Sequence, residues 1–174
     1  MAIKIRRYRP EDEAFLFRLF EASNREVKRR NPNVNIPRGF AQRYLPKTIR
    51  SALGRNGFIR VAEVDGQPAG FILALKGKTA PWDQSRTRSC FIMELHVATK
   101  FRRRGIGRNL IECAGGHYRA LGYDWISLGV FADNTDARAF YDRLGFGDSY
   151  LFLGKKLRLV QELSRPPKST RGTR

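Results

Sequence analysis

The sequence contains few of the features that mark secreted, disulfide-stabilised or membrane proteins. Only two of its 174 residues are cysteines, Cys90 and Cys113, which is too few for a disulfide framework and is typical of a reducing compartment. No apolar run approaches the roughly 20 residues of a transmembrane helix. The chain begins with alternating apolar and basic residues, unlike a signal peptide. We therefore expect a cytoplasmic protein in which both cysteines are small core residues, Cys90 in a strand and Cys113 in a helix.

Acidic residues are also scarce. The chain has 16 of them against 34 lysines and arginines, so that its formal net charge is +18. Such a charge predicts a positive field that attracts polyanions, and it says nothing about the fold. The cations are spread over the stretches 25–50, 100–108 and 155–174 and form no single patch in the sequence. Two interpretations stay open: a solvated basic surface, or a binding surface for an anionic partner.

Length and composition indicate a single folded domain. Hydrophobic residues make up 41% of the chain, and 174 residues are enough for a stable core. The sequence shows neither an internal repeat nor a linker between two domains. We expect one domain over residues 1–163, followed by a polar, basic and proline-containing flexible tail at 164–174.

The pattern of apolar residues predicts alternating strands and helices. Asp65-Gly66 lies between two apolar runs and indicates a hairpin turn, because glycine tolerates a positive φ. Gly115-Gly116 falls inside a predicted helix, where each glycine costs roughly 1 kcal/mol, and only close packing or a kink suggests itself as the reason. The predicted elements are strands at 3–8, 58–64, 69–75, 89–97, 125–131 and 146–158, and helices from residue 10 and at 40–53, 105–121 and 135–144. This order predicts an α/β (α+β) protein, a mixed sheet with helices on both faces.

The stretch from Phe101 to Leu110 is the most informative, because it follows a strand and opens a helix. The first amides of a helix have no intrahelical partner and attract anions. Gly105 and Gly107 allow a close approach of the backbone, and the arginines around them add charge-assisted hydrogen bonds. A Walker loop or a dinucleotide fingerprint needs residues that this stretch lacks. An ordinary glycine-bearing loop with solvated arginines remains an alternative at this point.

The neighbouring motifs give this stretch a family context. In chain order they are Ile92-Met93-Glu94-Leu95-His96-Val97, Arg102-x-x-Gly105-x-Gly107, Asn134, Phe140-Tyr141 and Leu144-Gly145-Phe146. With them the chain resembles the GNAT N-acetyltransferase superfamily, from the first strand to about residue 158 and most strongly over 91–146. The resemblance implies a mostly antiparallel sheet of about six or seven strands. It also implies acetyl-CoA as the cofactor.

The resemblance carries roles onto individual residues. The strand end at Leu95 to Val97 corresponds to backbone that pairs with the pantetheine arm, and Tyr141 to the tyrosine that protonates the departing thiolate. The implied cofactor-binding residues are Leu95, His96, Val97, Arg102, Arg103, Arg104, Gly105, Ile106, Gly107, Arg108, Asn134 and Tyr141. Independently of the resemblance, Asn134 and Tyr141 are seven residues apart, about two helical turns, and can face the same ligand. From its position alone, the alternative interpretation of Tyr141 is an amphipathic residue at a surface edge.

The expected reaction is direct attack of an amine on the thioester through a tetrahedral intermediate, with Tyr141 as the general acid. A backbone N–H at the end of the Leu95–Val97 segment is the expected oxyanion donor. Glu94 is the candidate catalytic base, and His96 alternates onto the same sheet face. A polar residue paired within the sheet is the structural alternative for Glu94. Some relatives that act on protein N-termini carry a glutamate where this chain has Gly129, and no base is needed if the amine arrives neutral.

The acceptor amine is constrained only by charge. The segments expected to meet it, 29–40 and 77–88, are basic, which disfavours polycationic acceptors and favours an acidic or an RNA- or ribosome-associated one. Two other classes of function stay open: a basic nucleic-acid- or ribosome-associated module, and a CoA-binding sensor without turnover. We expect a monomer or homodimer that contacts no membrane and holds no metal.

Overall fold

Five strands and four helices make up the part of the chain described by the computed structural model, residues 2–54, 57–77, 88–151 and 153–154. In chain order they are β1 (Ile3–Arg7), α1 (Glu13–Arg30), α2 (Phe40–Leu53), β2 (Gly57–Val64), β3 (Gln67–Gly77), β4 (Ser89–Val97), α3 (Ile106–Ala120), β5 (Trp125–Leu128) and α4 (Thr135–Asp142). Short 3₁₀ turns precede α1 at Pro10–Asp12 and follow β4 at Thr99–Phe101. The predicted tail at 164–174 lies outside the described residues.

The strands form one mixed sheet in the order β1-β2-β3-β4-β5. All neighbours are antiparallel except β4 and β5, which are parallel. The predicted hairpin is confirmed, since Asp65 and Gly66 join β2 to β3 with φ angles of 49° and 78°. The prediction of an α/β fold with a mixed, mostly antiparallel sheet is therefore confirmed, although the described residues contain fewer strands than the six or seven expected.

Helices cover both faces of the sheet, because successive strand residues point to opposite sides. Phe71 and Leu73 of β3 belong to the core beneath α1 and α2, whereas Ile72 and Ala74 belong to the core beneath α3. Each fully buried side chain of this size stabilises the fold by roughly 1.5–3 kcal/mol. Cys90 is buried in β4 and Cys113 is partly buried in α3, in the elements predicted for them.

Two predicted strands differ from the structure. The first, predicted at 125–131, ends at Leu128 because its pairing with β4 stops there, and the apolar side chains of Val130 and Phe131 are exposed. The second, predicted at 146–158, is absent over residues 146–151, 153 and 154, where Tyr150 and Leu151 are exposed. The remainder of that segment lies outside the described residues. Apolar alternation thus predicted strand residues, at 129–131 and 146–151, that pair with no neighbouring strand among the described residues.

A buried ion-pair network ties β1 to α1 and β2. The guanidinium of Arg6 donates to both oxygens of Asp12 at 2.7 Å and to Glu63 at 2.5 Å. Asp12 also accepts from the backbone N–H of Arg9 at 2.8 Å. Burial works to raise the pKa of Asp12, but the hydrogen bonds from Arg6 and Arg9 outweigh it and lower that pKa. The network fixes where α1 begins relative to the sheet.

No helix within residues 2–54, 57–77, 88–151 and 153–154 combines the length and the apolar composition needed to cross a membrane.

Candidate active site

A bulge in β4 opens the sheet. Leu73 of β3 pairs with Glu94 and the next residue, Ala74, pairs with Ile92, so that Met93 is an extra residue in β4. The parallel pairing of β4 with β5 also ends at Ile92 and Leu128. Beyond this point the backbone edge of residues 93–97 that faced β5 has no strand beside it among the described residues. An extended ligand can hydrogen-bond such an edge.

The bulge places Glu94 and His96 together on the side of the sheet that α1 and α2 cover. Glu94 Oε2 lies 2.6 Å from His96 Nε2, and both side chains are nearly buried. The imidazole of His96 packs edge-on against Phe20 and obliquely against Phe71, with ring centroids 5.8 and 5.1 Å apart. The predicted sharing of one face by Glu94 and His96 is thus confirmed, and the ring contacts hold the pair in place.

Tyr44 of α2 also interacts with Glu94 on this side of the sheet. Burial, then the charge of Glu94 and a hydrogen bond to it, raises the pKa of Tyr44 well above its usual value. The Tyr44 ring stacks on Phe20 and Phe40 at 5.5 and 5.0 Å. One carboxylate therefore lies among aromatic rings on the α1–α2 side. The sequence did not identify Tyr44 as a site residue, because the spacing within α2 does not reveal its contact with β4.

Tyr141 approaches the same carboxylate from α4. Its ring lies between Phe140 and Phe146, with centroids 5.2 and 5.7 Å away. Burial and, to a smaller extent, the charge of Glu94 raise the pKa of Tyr141 to about 12. The hydroxyl is therefore protonated at neutral pH and can donate a proton. The opening where β4 and β5 stop pairing, the β4–β5 split, brings Tyr141 and Glu94 together, although 47 residues separate them in the sequence.

The predicted anion loop lies between β4 and α3. Arg103 and Gly105 have φ angles of 61° and 79°, and the left-handed conformation of an arginine is a local strain of the kind found at functional loops. The first hydrogen bond of α3 runs from the Asn109 N–H to the Gly105 carbonyl. The N–H groups of Ile106, Gly107 and Arg108 are therefore left at the helix N-terminus without an intrahelical acceptor. This cradle suits a phosphate.

The side chains of the loop divide into exposed and packed ones. Arg102, Arg103, Arg104 and Arg108 are exposed, whereas Ile106 is buried in the core. A Cβ on Gly107 would lie 3.1 Å from the ring of Phe140. Gly107 therefore lets α4 pack closely against the start of α3, a role additional to the backbone approach expected from the sequence.

Two residues of α1, which the sequence did not identify, also reach the site. Glu26 accepts from Arg102 Nη2 at 3.1 and 3.3 Å, while Arg102 Nε donates to the Val97 carbonyl at 3.1 Å. Arg30 donates to Asn134 Oδ1, and the same oxygen accepts the Ala137 N–H at 3.4 Å as the N-cap of α4. These contacts join residues 76 and 104 positions apart, and no spacing within α1 signals them.

Parts of the chain are similar in sequence to known N-acetyltransferases. The chain is 43% identical over 63 residues to N-alpha-acetyltransferase 40 of Saccharomyces cerevisiae, covering 32% of this chain and 22% of that protein. It is 34% identical over 110 residues to an uncharacterized N-acetyltransferase of Methanocaldococcus jannaschii, covering 62% of this chain and 46% of the relative. The chain thus matches less than half the length of either relative.

The fold is shared with solved structures. The PaiA N-acetyltransferase of Thermoplasma acidophilum in complex with coenzyme A has a TM-score of 0.65 and 18% identity, covering 84% of this chain and 91% of the other. At this level of identity the likeness shows the fold alone. Residues 17–146 match the Acetyltransferase (GNAT) family. Because that match takes in most of the chain, from α1 through the bulged strand and the anion loop to Phe146, the protein belongs to the GNAT acetyltransferase family.

Proposed function

We propose that this protein transfers an acetyl group from acetyl-CoA to a primary amine, with Tyr141 as the general acid. The observation that carries the proposal is the position of Tyr141 on α4, where burial and the charge of Glu94 raise its pKa to about 12 beside the end of β4–β5 pairing. Family membership supports the class of reaction.

The described residues fit acetyl-CoA. The N–H groups of Ile106, Gly107 and Arg108, with the exposed side chains of Arg103 and Arg104, supply donors for the diphosphate. The open backbone edge of Leu95, His96 and Val97 suits the amides of the pantetheine arm, and the side chain of Asn134 lies at the other wall of the split. The PaiA N-acetyltransferase, which shares the fold, was solved in complex with coenzyme A. When bound, acetyl-CoA supplies the activated thioester carbonyl.

The side chains of the cleft account for the protons. Glu94, held by His96 and Tyr44, accepts a proton from the attacking amine, whose nitrogen forms the new bond to the carbonyl carbon. A backbone N–H of the Leu95–Val97 edge stabilises the oxyanion. As the carbon–sulfur bond breaks, the Tyr141 hydroxyl donates its proton to the sulfur and is reprotonated through solvent. The products are an amide and free coenzyme A.

The test is the removal of the Tyr141 hydroxyl. We expect Tyr141→Phe to lower kcat about 100-fold while the Kd for acetyl-CoA changes by less than about threefold, because a general acid acts in the transition state. Release of free thiol measures turnover, and calorimetry measures acetyl-CoA affinity. Tyr123→Phe makes the same chemical change away from the cleft, beside Tyr118, and should leave kcat unchanged.

The outcomes separate the proposal from its alternatives. An unchanged kcat in Tyr141→Phe contradicts the role of Tyr141. Binding of acetyl-CoA by wild type, with no thiol release across a screen of amines, supports a sensor without turnover. Salt-sensitive binding to RNA or DNA without any affinity for acetyl-CoA supports the nucleic-acid module.

The acceptor is proposed to be an acidic or an RNA- or ribosome-associated amine. The support is electrostatic: Arg25, Arg29, Arg38 and Arg43 are exposed along the α1 end, the connection to α2 and the start of α2. The yeast relative is an N-alpha-acetyltransferase, which favours a terminal amine on a polypeptide. The carboxylate of Glu94 among the rings of Phe20 and Tyr44 then receives the amine itself.

A further inference from the structure

The last turns of α1 contact both walls of the cleft. Glu26 and Arg30 are four residues apart and therefore lie on the same face of the helix. Glu26 contacts Arg102, directly after the 3₁₀ turn that follows β4, and Arg30 contacts Asn134, directly before α4. A single helical face thus connects two segments that belong to different sides of the sheet's opening.

These two segments are the walls of the β4–β5 split. Pairing between the strands ends at Ile92 and Leu128. From there β4 continues to Val97 on one side, and the chain after β5 leads to Asn134 on the other. Arg102 links Glu26 to β4, because its side chain also donates a hydrogen bond to the Val97 carbonyl. Asn134 links Arg30 to α4, because its side chain also caps that helix.

We propose that Glu26 and Arg30 are positioning residues that act as a two-point clasp. Together they set the separation between the Val97 end of β4 and the start of α4. Tyr141 lies two turns along α4, so the clasp also sets the distance from its hydroxyl to a thioester bound along β4. The inference rests on the proposed function and adds to it two residues of α1 that touch neither the thioester nor the proton donor.

The clasp matters for geometry more than for stability. The side chains of Glu26 and Arg102 are 32% and 45% exposed, and exposed ion pairs contribute little to the free energy of folding. In contrast, a misplacement of about 1 Å at a reacting group can lower turnover as much as 100-fold. Removing either contact should therefore leave the protein folded while reducing its rate.

The experiment compares Glu26→Ala, Arg30→Ala and the double variant with wild type. We expect each single variant to lower kcat about tenfold with less than a threefold change in acetyl-CoA Kd. The double variant should be no worse than about threefold below the slower single variant, because either loss already releases the clasp. Glu26→Gln and Arg30→Lys keep a hydrogen-bonding group and should stay within about threefold of wild type.

Lys28→Ala is the matched control for charge. Lys28 is exposed on another face of α1 and makes no ion pair with any residue that the structure describes. It should leave kcat unchanged. Equal losses in Lys28→Ala and Arg30→Ala, multiplicative losses in the double variant, or unchanged kcat in both single variants would each overturn the clasp.

Hydrogen exchange tests the clasp without any turnover. We expect Arg30→Ala to speed exchange of the amides at 135–138 about threefold or more, and Lys28→Ala to leave it unchanged. If wild type proves inactive, the proposed function fails while this readout still decides the clasp. If exchange at 135–138 is the same in Arg30→Ala and wild type, the clasp is refuted even in an active enzyme.

Discussion

At the scale of one residue, Asp12 is a buried charge that is compensated by an ion pair and hydrogen bonds. Its carboxylate is 4% exposed and bound by Arg6 and by the Arg9 backbone. We expect Asp12→Asn to lower the free energy of unfolding by about 2–3 kcal/mol, because the Arg6 guanidinium keeps only Glu63 as a charged partner. Urea denaturation measures the loss, and Glu11→Gln, at an exposed neighbour, should change the stability by less than about 0.5 kcal/mol.

The same substitution has a defined pH dependence. The pKa of Asp12 is lowered in the folded state, so its contribution to stability is complete above the ordinary value of 3.8 and is lost as the pH falls through the folded pKa. The gap between wild type and Asp12→Asn should therefore be constant from about pH 5 to 8 and shrink below about pH 4. A gap that instead widens on acidification would show that Asp12 is not held as a carboxylate.

At the scale of elements, the two glycines within α3 have no packing role. A Cβ on Gly115 or Gly116 would meet no atom within 4 Å, so the close packing suggested by the sequence is wrong. Gly116 is exposed. We expect Gly116→Ala to stabilise the protein by about 0.5–1 kcal/mol through helix propensity, raising Tm by roughly 1–4 °C.

Gly70 of β3, unlike the two glycines of α3, lies in close contact with a neighbouring backbone atom. A Cβ on Gly70 would lie 2.7 Å from the His96 carbonyl, a backbone atom of the bulged strand. Gly70→Ala should therefore destabilise the protein and disturb the edge proposed for the pantetheine arm. Calorimetric melting of Gly116→Ala and Gly70→Ala measures the two changes in stability. A lower Tm for Gly116→Ala contradicts the helix-propensity argument.

Elements were predictable from the sequence where local chemistry determines them. The Asp65-Gly66 hairpin and the boundaries of α2 follow from turn chemistry and apolar spacing, and both are confirmed even though Pro46 lies inside the helix. The end of β5 was not predictable, since it depends on where β4 ceases to run alongside it. The bulge at Met93 likewise leaves no mark in the apolar pattern of its own strand.

At the scale of the whole molecule, the net charge of +18 predicts how acceptors are selected. We expect kcat/KM for a peptide with acidic residues after its N-terminus to fall about tenfold between low and high salt, because electrostatic steering is screened. A matched lysine-rich peptide should be the poorer substrate at low salt and improve as salt rises. Thiol release at several salt concentrations measures both.

The acceptor hypothesis fails under a clear condition. The highest rates on polycationic amines, together with insensitivity to salt, would show that the charge of the molecule does not govern acceptor choice. A peptide with neutral residues after its N-terminus is the control, and its kcat/KM should vary little with salt.

The sequence by itself determined most of the helices and strands and the glycine–arginine loop, because each depends on residues close together in the chain. The family resemblance singled out Tyr141 and Asn134 as expected site residues. Only the tertiary structure decided that β4 bulges and leaves β5, which brings Tyr141 across the opening from Glu94. It also added Tyr44, Glu26 and Arg30, whose partners lie 50 to 104 residues away in the chain. Local propensities specify helices and turns, whereas contacts between distant segments form only when those elements pack together.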